Sequence, residues 1–332
     1  FPYTTLFRSR PIALLTALTL AAAAAFAAAP ATRAPRPVPA RPAAPAAPSF
    51  DKWWHDGKAE LNGYRVTVQR YGQPRSSRAV AIFVTEPFSG SRHVKLDDPA
   101  KTPADAVDVL KLNLVRDFQT GVYDYHTMLS VFAQARDFSP LKVTFSSSEW
   151  CGQVFEELHF WSGFTQHKLF SYFEGESFER KQPYPTSGVS EDNLWIVLRG
   201  LRGPFLEPGE KRVMPYLAGA FWRRLAHRDA DWMKASIERI ARPERVTAPA
   251  GVFVTDVYEV RPADGRVGRF WIEQAYPRRI VRWQWTAPAA GAPMGGTDAG
   301  ELTGTTRLDY WRTHDPGDEK LLESLGLGPA VK

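Results

Sequence analysis

The chain holds one cysteine, Cys151, among 332 residues. One thiol excludes an internal disulfide framework and any cysteine-rich zinc module. It also leaves no cysteine beside residues 10–29 to carry a lipid. The seven histidines (His55, His93, His126, His159, His167, His227 and His314) show no H-x-H or H-E-x-x-H spacing, so no metal and no cofactor are expected. No G-x-S-x-G elbow, phosphate loop or G-x-G-x-x-G occurs. The usual marks of hydrolases, phosphate-loop enzymes and dinucleotide-binding folds are therefore missing.

Acid is absent from the first fifty residues, which carry Arg8, Arg10, Arg33, Arg36 and Arg41. Setting that stretch aside lowers the 42 Lys and Arg to 37 against 36 Asp and Glu, a net charge of +1. The basic character belongs to the leader region, and nucleic-acid binding loses its electrostatic basis. Beyond Ala29 there is no long uncharged apolar run, so no membrane span is expected once a leader is removed.

Three segments precede residue 50. Residues 1–9 (FPYTTLFRS) match the in-frame translation of a common sequencing adapter and are set aside from fold reasoning. Residues 10–29 read as a signal peptide: Arg10 supplies charge, residues 12–29 are uncharged and apolar, and Ala27 and Ala29 offer a small-residue cleavage site. Residues 30–49 are a Pro/Ala-rich linker with seven prolines, spanning roughly 60 Å as polyproline II at about 3.1 Å per residue. The mature protein is expected in the periplasm or outside the cell.

From Phe50 the dominant signal is period-two alternation broken by turn residues, as at Tyr64, Val66 and Val68, or along residues 107–118 (VDVLKLNLVRDF). Strands over 153–161 and 166–174 bracket a turn at Ser162-Gly163, and strands over 252–260 and 269–274 bracket Asp264-Gly265. Near 190–202 the spacing of Leu194, Val197, Leu198 and Leu201, behind Ser190 as a cap, predicts one amphipathic helix. Residues 318–325 predict a short terminal helix stopped by Gly326, and residues 288–300 a loop. Residues 216–232 fit neither period. The fold expected is all-β with a minor helix: curved antiparallel sheets or open half-barrels in two adjoining units, 50–204 and 205–332.

The pieces WHDGKAELNGY, RYGQPR, AIFVTEPF, VLKLNL, TGVYDY and EWCGQVF resemble, in order and spacing, a group of bacterial secreted proteins and lipoproteins of unassigned activity. Its members sometimes carry the label septum formation inhibitor Maf. The pieces APAGVF, GRFWIE, YPRRIVRW and GELTGTTRL are similar to DUF3108-type periplasmic β domains. The resemblance implies fold and compartment. It implies no Maf pyrophosphatase activity, because the S-x-S-P-R-R opening of those enzymes is absent.

Two sets of residues are candidates for chemistry. Cys151, with His126, His159 and Glu149, could form a thiolate nucleophile with a base, although a lone thiol in an oxidising compartment favours burial. Glu156 and Glu157 are adjacent in a strand and must point to opposite faces, so they are not a catalytic pair. The alternating aromatics, among them Trp150, Phe155, Trp161, Tyr172, Trp271 and Trp283, could line a pocket for a lipid or other apolar or amphipathic ligand. Three functions follow from these readings: a ligand carrier, a non-catalytic module docking on an envelope protein, and a hydrolase-type enzyme built on Cys151 or paired carboxylates.

Overall fold

A computed structural model describes residues 49–288 and 295–328. The adapter and signal-peptide segments, the linker up to residue 48, and residues 289–294 of the expected loop lie outside the described residues.

Alternating sequence becomes strand almost throughout. The first half is a meander of β1 (Ala59–Arg70), β2 (Gln73–Ser89), β3 (Ala106–Thr120), β4 (Tyr123–Gln134), β5 (Pro140–Glu149), β6 (Gly152–Trp161), β7 (Phe164–Ser171) and β8 (Phe178–Pro183). The second half supplies β9 (Val189–Ser190), β10 (Lys211–Leu217), β11 (Trp232–Arg239), β12 (Glu244–Ala248), β13 (Gly251–Pro262), β14 (Val267–Glu273), β15 (Ile280–Ala287) and β16 (Gly296–Leu308). The strands form one sheet in the order β8-β7-β6-β5-β4-β3-β2-β1-β16-β15-β14-β13-β11-β10-β9, with β12 paired to β13 off this path. Every pairing is antiparallel except the short β9–β10 contact.

Pairing of β1 with β16, from Ala59↔Leu308 to Thr67↔Ala299, makes one sheet of the two halves. The two ends of the sheet also approach each other. Gln182 Nε2 donates to the Ala230 carbonyl at 3.1 Å, and the Tyr184 and Trp232 rings stack with centroids 5.6 Å apart. The Ser162-Gly163 turn joins β6 to β7 as expected, with Trp161 opposite Phe164 and Gly163 at φ +81°.

One face of this curled sheet, the inner face, carries the main core, including Tyr64, Ala79, Leu112, Leu114, Leu129, Phe145 and Leu158. Three short helices, α1 (Phe50–Trp54), α2 (Glu191–Val197) and α3 (Ala220–Leu225), contribute residues to the same core. The expected amphipathic helix is shorter than 190–202, and it is not amphipathic: every residue from Glu191 to Ile196 is buried. It packs against β3 and β4, and its polar side chains meet protein partners instead of water: Glu191 meets Arg266, Asp192 the Ala220 N–H and Asn193 the Phe138 carbonyl. The segment 216–232 contains the end of β10, all of α3 and the start of β11. On the outer face, the 3-10 helix Asp318–Leu325 ends at Gly326, φ +63°. Leu325 is fully buried there, because Gly63 and Gly304 have no Cβ to keep its backbone away.

Candidate functional site

The inner face beneath α3 holds a cluster of charged and aromatic side chains. Trp283 and Trp285, two apart on β15, point to the same side. Each lies across a glycine on a neighbouring strand, Trp285 over Gly268 and Trp283 over Gly300. Each also stacks on an arginine. The Arg266 guanidinium sits 4.7 Å from Trp285 and 4.6 Å from Trp222, and that of Arg116 sits 5.0 Å from Trp283 and 4.0 Å from Phe221. These two sandwiches press α3 onto the sheet.

Ion pairs surround the sandwiches. Arg266 donates to both Glu191 oxygens at 3.2 and 2.8 Å, and Tyr216 Oη donates to Glu191 at 2.6 Å. Asp192 accepts the Ala220 N–H at 3.1 Å, tying α2 to the start of α3. Arg223 donates to Glu156 at 2.5 Å, and His167 Nε2 lies 2.8 Å from the same oxygen. Burial alone would raise the Glu156 carboxyl, but Arg223 and His167 outweigh it and hold it at about 2. Asp192 lacks so close a cation, and burial pushes it up to about 7. Burial likewise pushes Asp298, on β16, up to about 6. A cavity of about 60 Å³ opens among Arg116, Asp192, Asp298, Phe221 and Trp283.

The outer face shows the opposite chemistry. Cross-strand pairing aligns Gly304, Gly63, Val80, Val115, Met128, Ser146, Phe155 and Phe170 in one row from β16 to β7. Leu325 covers its glycine end. The other end is open, with Met128 39%, Phe155 43% and Phe170 61% exposed. Here a groove of about 790 Å³ is lined by these three residues, Tyr172, and polar groups including His126 and Gln153.

The four catalytic candidates do not converge. Cys151 is exposed in the β5–β6 turn, which corrects the expectation that it is buried; its N–H donates to Tyr123 Oη at 2.9 Å. Glu149 is buried on the inner face, bound to Arg224 and to Tyr123 Oη. His126 lies on the outer face with Nδ1 2.9 Å from Asp117. His159 stands near the far end of β6, roughly 25 Å along the strand from the turn at about 3.3 Å per residue. His159 and His167 do not face each other across the hairpin, since their partners are Gln166 and Leu158 and they therefore point to opposite faces.

His159 pairs instead with His93, Nδ1 to Nδ1 at 3.0 Å, and Trp161 stacks on His93 at 3.9 Å. Burial first, and then His159, lower His93 to about 4. Glu156 and Glu157 point to opposite faces as expected, Glu156 to Arg223 and Glu157 to Lys142. The aromatic candidates scatter as well. Phe155 and Tyr172 share the outer groove, Trp150 is 65% exposed in its turn, Trp271 donates to Glu244 at 2.8 Å beside β12, and only Trp283 reaches the inner cavity. Arg116, Arg266, Asp192, Asp298 and His93 escaped sequence reasoning. The available signal was Trp-x-Trp at 283–285 with glycines at 268 and 300 to receive the rings.

No family model matches the chain, and no curated protein matches it. The expected kinship with the Maf-labelled group and with DUF3108-type domains therefore finds no support in these comparisons. Among solved structures, the chain is similar to a Bacteroides fragilis protein described, provisionally, as exported and as having a YmcC-like fold. Identity is 10%, coverage is 74% of this chain and 95% of the other, and the TM-score is 0.23, too low to carry any argument. Among the described residues no helix is long and apolar enough to cross a membrane.

Proposed function

We propose that the chain is an exported, non-catalytic interaction module whose outer sheet face receives an amphipathic segment of an envelope partner protein. The open end of the row, Met128, Phe155 and Phe170 with Ser146 between the first two, carries this reading. Aromatic side chains bury about 150–250 Å² each, so Phe155, Phe170 and Tyr172 at their exposures offer on the order of a few hundred Å², the scale at which a surface patch signals contact. The covered end of the row indicates what fits: a short helical segment with Leu321, Leu322 and Leu325 already lies there. A partner segment of similar chemistry would continue the same contact. The carrier reading is weaker, because the inner cavity of about 60 Å³ falls far below the roughly 300–1,000 Å³ of ligand pockets, and the outer groove of about 790 Å³ has the volume but lies open on the sheet surface.

The test is photo-crosslinking in cells with benzoylphenylalanine in place of Phe170, and in place of Val213, which is equally exposed on β10. A discrete protein adduct is expected from position 170 alone, lost when Met128→Lys and Phe155→Lys are added. No adduct from 170, or the same adducts from both positions, would contradict the proposal.

A further inference from the structure

We propose that the cavity beneath α3 binds a compact planar oxyanion of the carboxylate type, held by Arg116. This site is separate from the outer groove and independent of what docks there.

Arg116 rises from the inner face of β3 and is only 6% exposed. Phe221 and Trp283 both pack against its guanidinium, with ring centroids 4.0 and 5.0 Å away, and its N–H groups are what it has left to offer an acceptor. Among the described residues those groups make neither a hydrogen bond nor an ion pair, and the Nε is buried without a partner. Trp283 Nε1 is likewise buried and unpartnered, lying over Gly300. The two Nη groups of Arg116 keep accessible surface, and an acceptor that reached them would be favourable.

The neighbouring sandwich shows what belongs there. Arg266 packs against Trp222 and Trp285 in the same way, and its N–H groups are filled by the Glu191 carboxylate through two hydrogen bonds and by Asp264 at 2.8 Å. Bidentate pairing of this kind is the strongest contact a guanidinium makes with a carboxylate. At Arg116 no carboxylate comes within hydrogen-bond distance: Asp298, which shares the cavity and feels the Arg116 charge, accepts instead from the Gln69 N–H, and the cavity of about 60 Å³ adjoins the guanidinium. One water needs about 10–15 Å³ of such space, so the cavity has room for a few non-hydrogen atoms: formate or acetate, and nothing as large as an aromatic acid.

The other groups facing the cavity set its pH dependence. Asp298 is spent on the Gln69 N–H at 2.6 Å, and Asp192 on the Ala220 N–H. Glu191 is engaged by Arg266 and Tyr216, Arg223 by Glu156, and Thr127 Oγ1 donates to the Arg116 carbonyl. Burial raises the Asp298 and Asp192 carboxyls to about 6 and about 7. Below those values both are neutral and Arg116 is the uncompensated charge. Above them two carboxylates repel the anion, so affinity falls as pH rises.

Isothermal titration calorimetry of formate, acetate and benzoate into the exported chain tests this, at about pH 5.5 and about pH 8, either side of both carboxyls. Formate and acetate are expected to bind at one site at the lower pH, at least tenfold more weakly at the higher, and benzoate not at all. Arg116→Gln should abolish binding in a chain that circular dichroism shows to be folded. Asp298→Asn keeps the acceptor for Gln69 and should strengthen binding severalfold at the higher pH, which decides the matter even if Arg116→Gln does not fold. No heat from formate or acetate in the wild type, unchanged binding in folded Arg116→Gln, or no gain in Asp298→Asn would overturn the site.

Discussion

Two regions of this sheet, one on each face, depart from the usual division between apolar inside and polar outside. Beneath α3, Glu149, Glu156, Glu191, Arg223, Arg224 and Arg266 are buried, whereas across β4–β7 Met128, Phe155 and Phe170 lie open to solvent. The physics of each face explains the other's distinctness. Charges inside persist most readily when a partner of opposite sign sits against them, so most of the inner cluster is closed upon itself, with Arg116 the exception. Apolar side chains outside need no partner to fold, but they leave a surface whose burial is favourable when a second molecule arrives. The inner face fixes shape and the outer face is available for contact.

Separating these roles experimentally should begin with the inner pairs. Glu191→Ala removes one of the two carboxylates that hold the buried Arg266, leaving Asp264 at 2.8 Å, and urea denaturation should register a loss of about 1.5–3 kcal/mol. Adding Arg266→Met should restore most of that, since the pair's worth lies in mutual neutralisation. If Glu191→Ala costs nothing, the cluster is not holding α2 and α3 in place.

A smaller effect is expected from Asp192. Its carboxyl rises from 3.8 to about 7 on folding, so the folded state binds that proton more tightly than the unfolded chain does. Its stabilising contribution is complete below about pH 4 and is lost as pH rises toward 7, at no more than about 1.4 kcal/mol per pH unit. Glu156 works in the other direction: its contribution is present above 4.5 and is lost as pH falls toward 2. Asp192→Asn should flatten the slope of stability between about pH 5 and pH 7, measured by denaturation across that range. A slope unchanged in the variant would remove Asp192 from the account.

The strands were legible because alternation and turn residues are local. Ser162-Gly163 closes its hairpin where expected, and Gly326 ends the terminal helix. What alternation does not encode is which face is inside. In β6, Phe155 and Glu156 alternate as well as any pair, yet the phenylalanine faces water and the glutamate is buried, because Arg223 and His167 come from distant elements to neutralise it. The same ignorance of distant partners made α2 read as a surface helix. Its Glu191 and Asp192 look solvated until Arg266 and the start of α3 are seen against them. Aromatic content suggested one pocket, but the candidates divide between two faces and several turns. The pairing of β1 with β16, which makes one sheet of two runs, has no local signature at all.

The central claim, that the outer row serves contact and not folding, is met most directly by denaturing the triple variant Met128→Ser, Phe155→Ser, Phe170→Ser in urea. Stability should stay within about 0.5 kcal/mol of wild type for each site changed, as for surface positions. A loss of several kcal/mol would mean that the row is part of the core and that the docking surface does not exist.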